Sequence, residues 1–67
     1  MYQIGDKVEV KVFGKWRTNG VIVSVTLGTG NNNTEYIVEC DQDTDQGVQR
    51  MMSGAKSEHM IRPMPAK

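Results

Sequence analysis

Alternation of apolar and polar positions organises this chain almost from its first residue. In KVEVKV, Lys7 to Val12, the valines at 8, 10 and 12 fall on one side and Lys7, Glu9 and Lys11 on the other. That two-residue period is the mark of a half-buried strand. GVIVSVTL, Gly20 to Leu27, is rich in β-branched residues and bounded by glycine, which suits a strand and leaves it too short for a helix. TEYIVEC, Thr34 to Cys40, sets Tyr36, Val38 and Cys40 against Ile37 and Glu39. QGVQRMM and the short MIRP segment supply two more extended stretches. The pattern predicts strands over residues 7–13, 18–27, 34–40, 46–52 and 60–62. Gly5-Asp6, Gly14 and Asn19-Gly20 punctuate the first two, and GTGNNN, Gly28 to Asn33, reads as a loop. The acidic DQDTDQG, Asp41 to Gly47, reads as a turn, as does SGAK. Ser57 is placed to cap a single helical turn through His59, and residues 63–67 form a flexible tail.

Five short strands with a helical turn before the last predict one all-β domain over residues 1–62, a small antiparallel SH3-like barrel. An OB-fold has longer strands and a helix between the third and fourth. The second strand carries a surplus of apolar residues: Val21, Val23, Val25 and Leu27 on one face, Ile22 on the other. A bulge near Asn19-Gly20 or Ser24 would switch the faces; without one, an apolar face is left for another chain. Met51 and Met52 pose the same question on the fourth strand. Val21, Val23 and Met51 are therefore the expected interface of a homo-oligomer, which a chain of 67 residues also needs on grounds of core size.

Charge and composition narrow the function. Net charge is zero, which argues against a general polyanion binder. Its distribution is uneven, with Lys7, Lys11, Lys15 and Arg17 early and Glu35, Glu39, Asp41, Asp43 and Asp45 in one run. Cys40 is the only cysteine, so no intrachain disulfide forms and the residue is read as a buried small hydrophobe or a thiol in a reducing compartment. No basic leader precedes an apolar run, and no apolar stretch has spanning length; a cytoplasmic protein without membrane contact is expected. His59 is isolated, and acids around Cys40 disfavour a thiolate. Asp41, Asp43 and Asp45 begin like a calcium loop, but Gln46 and Met52 occupy the positions of its glycine and glutamate. No catalytic set, metal site or cofactor is expected.

The segments IGDKVEV, FGKW, GVIVSV, EYIVECDQD and SEHMIRP together resemble the Tudor and Agenet branch of SH3-like barrels over nearly the whole chain. That resemblance implies an aromatic cage for a methylated cation, with Trp16 at the place of the loop aromatic and Phe13 and Tyr36 as further candidates. Arg17 stands where a second aromatic is usual. A second resemblance is to the plasmid-type (type II) dihydrofolate reductase, whose four copies surround a pore that binds folate and a nicotinamide cofactor. Val48-Gln49-Arg50-Met51 echoes its Val-Gln-Ile-Tyr strand, with Arg50 for the isoleucine and no tyrosine; four arginines at one pore would repel.

The function expected is a non-enzymatic interaction module that binds a protein partner around the first loop; the small size suits a phage or mobile-element protein. Trp16 would pack where that loop meets the third strand. Phe13, Trp16, Arg17, Tyr36, Asp41 and Asp43 would form the rim, because in such a barrel the first loop and the turn after the third strand lie at one end. Trp and Arg are the residue types richest in binding energy. The alternatives are nucleic-acid binding, for which Lys11, Lys15 and Arg17 flank Phe13 and Trp16, and a reductase-like homotetramer.

Overall fold

The computed structural model describes residues 1–65. Five strands follow in order: β1 Lys7–Val12, β2 Lys15–Thr26, β3 Glu35–Thr44, β4 Gly47–Ala55 and, after a 3₁₀ turn at Glu58–Met60, β5 Ile61–Pro63. They form one antiparallel sheet in the order β4-β3-β2-β1-β5. The all-β class, the five strands and the helical turn before the last are as the sequence pattern predicts. The barrel is not closed: β4 and β5 end the sheet as separate edges.

Three boundaries differ from expectation by three residues or more. β2 begins at Lys15, so Trp16 and Arg17 stand on a strand and the first loop shrinks to Phe13-Gly14. Both of those residues have positive φ, 50° and 79°, as a two-residue type I′ hairpin turn requires. β3 continues to Thr44, which makes Asp41 and Asp43 strand residues and leaves only Asp45-Gln46 as the turn. Asp41 keeps the period of two that Glu39 begins, and pairing with Arg50 across the ladder offsets the low strand preference of aspartate. β4 continues through Ser53 and Gly54 to Ala55. At the C-terminus, Pro63 still pairs with Val8, and the Met64 amide donates to the Lys7 carbonyl at 3.3 Å. The expected tail is thus tied to β1 at its start, and residues 66–67 lie outside the described residues. The Ser57 side chain makes no capping bond; its carbonyl accepts from the Met60 amide at 3.2 Å instead.

The surplus of apolar residues on β2 is resolved by two bulges, at both of the places the sequence suggests. Val8 faces Gly20 but Val10 faces Arg17, so β2 holds an extra residue there, and Asn19 takes a left-handed φ of 55°. Ile22 faces Val38 but Ser24 faces Ile37, which leaves Val23 as the second extra residue. After this slip Ile22 is fully buried and Val25 also packs against the core. Val21 and Val23 are half-buried.

Val8, Val10, Ile22, Tyr36, Val38, Cys40, Ala55 and Ile61 form the core. The N-terminal residues close one end. The Tyr36 hydroxyl donates to Glu58 Oε1 at 2.9 Å and accepts from the Tyr2 amide at 3.4 Å. The two tyrosine rings meet edge to face, centroids 5.8 Å apart, a favoured aromatic geometry. Burial, and next the Glu58 carboxylate, push the Tyr36 hydroxyl above its ordinary pKa, so it stays a neutral donor.

The tightest point is Gly20. A Cβ there would lie 2.7 Å from the Val8 carbonyl oxygen and 2.9 Å from Val38 Cγ1, so β1 and β3 approach β2 where it has no side chain. Gly20→Ala should cost about 2 kcal/mol by overpacking. The thermal midpoint should then fall by roughly 10 °C for a domain of this size, measured by circular dichroism melting.

Candidate functional site

The residues expected to share one rim are distributed over different faces. Trp16 pairs with Lys11 and sits with β1 and β5, away from β3. The Arg62 guanidinium lies over its ring, 4.1 Å from the centroid. Arg62 Nε donates to Glu9 Oε1 at 2.6 Å, and Glu9 is only 8% exposed. A nearly buried carboxylate holds a cation, and that cation covers an aromatic face, an arrangement strengthened by exclusion of water. One face of Trp16 is therefore occupied by the chain's own arginine.

Arg17 follows Trp16 on the strand and so points to the opposite side, opposite Val10. It is half-buried, with Nε sealed from solvent and without a hydrogen-bond partner. Tyr36 is 1% exposed and belongs to the core, because it occupies the inward register of β3 with Val38 and Cys40. Neither residue stands on an accessible rim beside Trp16.

Asp41 is engaged within the chain. Its Oδ2 accepts from Asn19 Nδ2 at 2.7 Å and its Oδ1 from Arg50 Nη1 at 3.1 Å. Arg50 also donates to the Glu39 carbonyl at 3.2 Å and to the carbonyl of Asn19, and pairs with the Glu39 carboxylate at 3.5 Å. One arginine on β4 thus ties the Asn19 bulge of β2 to β3. The Asn19 amide, and after it Arg50, hold the Asp41 carboxyl below its ordinary range, and Asp41 in turn raises Arg50. Asp43, opposite Val48, is exposed and has no ion pair among the described residues.

Phe13 stands apart from the other expected rim residues. It is 97% exposed at the tip of the β1–β2 hairpin. Behind it opens a groove of about 500 Å³ between the end of β1 and β4, walled by Val12, Phe13, Met51, Met52 and Met60 with Gln42 on its floor. Gln42 Nε2 donates to Ser53 Oγ at 2.7 Å, which fixes the floor to both strands of the β3–β4 hairpin. Lys11 lies along the groove, and neither it nor Lys15 has an ion pair among the described residues. The contribution of Met60 was hidden from sequence reading, since it comes from the 3₁₀ turn and reaches the groove only through the sheet's curl. The adjacent Met51-Met52 pair was the available signal. Among the described residues no three His, Cys, Asp or Glu side chains cluster as metal ligands, and no helix is long and apolar enough to cross a membrane.

The Asp41 carboxyl has a lower pKa folded than unfolded. Its contribution to stability is therefore complete above the unfolded value of about 3.9 and is lost as pH falls through the folded one. Asp41→Asn should flatten the decline of the thermal midpoint below about pH 4, while lowering the midpoint at neutral pH. Paired melting curves from pH 2 to 7 check both.

No family model, curated protein or solved structure matches this chain significantly, so the hairpin tip and its groove are the basis on which function has to be read.

Proposed function

We propose that the chain is a non-enzymatic interaction module that presents Phe13 and the methionine-lined groove to a protein partner. One observation carries the reading: an aromatic residue occupies the first central position of a type I′ turn. Left-handed backbone there costs a non-glycine residue about 1–2 kcal/mol, and asparagine is the residue that turn prefers. Phe13 gains no packing in return, being almost wholly exposed. An exposed aromatic held rigidly beside an adaptable methionine surface is what a partner's apolar side chains engage.

The partner reading keeps the first-loop location and revises its members. Phe13 stays, and Val12, Met51 and Met60 take the place of Trp16, Arg17, Tyr36, Asp41 and Asp43. Nucleic-acid binding draws less support, because Arg50 and Arg62 are both held by carboxylates of the same chain and Arg17 is half-buried, which leaves chiefly lysines for phosphate.

Phe13→Asn separates binding from folding. It should raise stability by about 1 kcal/mol, seen as a thermal midpoint higher by roughly 4–8 °C. Toward a partner first captured by crosslinking and then purified, it should weaken binding about 30-fold, the loss typical of a central aromatic contact. A purified partner that binds wild type and variant equally defeats the proposal. So does binding to nucleic acid alone, with affinity falling steeply with salt.

A further inference from the structure

The two edges of the sheet are treated differently. β5 is three residues long, carries Arg62 and ends on Pro63, features that discourage another strand from pairing. β4 has nine residues, with no proline, no lysine and no shift in its register with β3. From Gly47 to Met52, and again at Gly54, it is exposed. Such an edge is a template for a further strand. We propose that a second copy of this chain fills it, β4 against β4, antiparallel about a two-fold axis at Met51. This goes beyond the Phe13 reading: it concerns the hydrogen-bonding edge of β4, whose Met51, Met52 and Gly54 also line the groove, and it stands without a partner protein.

Self-complementarity selects the occupant and the register. With the axis at Met51, Val48 of one copy lies opposite Gly54 of the other, on the same side of the sheet. Val48 is 64% exposed, and a Cβ on Gly54 would meet nothing within 4 Å, so the valine enters open space. Ile37, opposite Gly54 on β3 and 44% exposed, flanks that space. Arg50 falls opposite Met52. Its guanidinium is turned away from the edge, over β3 onto Asp41, Glu39 and Asn19, so no free charge faces the methionine. Beyond the strand ends, Lys56 of each copy falls opposite the uncharged Gln46 of the other, and Asp45 opposite Ser57. Moving the axis to Arg50 would oppose two arginines; moving it to Met52 would set Arg50 over Gly54 and Val48 against Lys56. Of these three registers, the Met51 one alone both sets Val48 against an open position and opposes no two like charges.

Sedimentation equilibrium of the purified chain up to about 1 mM should show a reversible monomer–dimer equilibrium. Val48→Asp should weaken it at least tenfold, and so should Gly54→Lys, a site where added atoms have room in the monomer. The two changes combined should restore association, because this register alone brings them face to face. Circular dichroism of each variant should match wild type; if Val48→Asp fails to fold, Gly54→Lys alone decides. Under oxidation, with Cys40 replaced by Ala, Met51→Cys should yield a covalent dimer and Gln49→Cys should not. A monomer at every concentration, a dimer indifferent to the Gly54 variant, or a double variant that stays dissociated while folded overturns the proposal.

Discussion

Everything in this fold hangs on β2 changing face twice. A twelve-residue strand that kept strict alternation would send either Ile22 or the valines around it to solvent. The extra residues at Asn19 and Val23 break the alternation, so that Ile22 and Val25 turn inward together. The first bulge also brings Gly20 against Val8 and Val38, where the strands pass too closely for any side chain. A bulge is a local defect in a hydrogen-bond ladder, and its unpaired groups need partners. Here the partners are polar and come from the next two strands: Arg50 of β4 takes the Asn19 carbonyl, and Asp41 of β3 takes its side-chain amide. The acidic residues of β3 belong to the folding problem before they belong to any binding problem.

That explains which parts of the molecule were legible in the sequence. Strand existence was plain, because valine alternation and glycine or asparagine punctuation are local signals. The bulge sites were legible too, since Asn19-Gly20 offers a residue tolerant of left-handed backbone beside one without a side chain. The acidic turn misled for a physical reason. Aspartate disfavours strands when considered alone, and the arginine that compensates it lies nine residues ahead, across a hairpin whose register cannot be read locally. Tyr36 followed its strand's inward face, so its burial could have been inferred from its alternation with Ile37 and Glu39.

The candidate site was legible only in part. Phe13 was expected at the end of the first strand beside Gly14, and its place in the turn follows from a left-handed backbone that its residue type does not signal. The groove was not legible, because Val12, Met51 and Met60 come from three separate segments, and their meeting depends on the curl of the whole sheet. Trp16 drew attention for its residue type, yet type says nothing about what already covers it. The covering residue is 46 positions further on and was read as part of a short closing strand with no side-chain role.

The stacked pair of Trp16 and Arg62 gives the molecule a built-in optical reporter. The chain has one tryptophan, and its environment is set by a guanidinium from the last strand, itself anchored on a nearly buried carboxylate. Departure of β5 would strip a cation from the indole and open Glu9 to water at once. The emission of that single indole therefore tracks the docking of the closing strand, separately from the β1–β4 ladders that amide circular dichroism averages together.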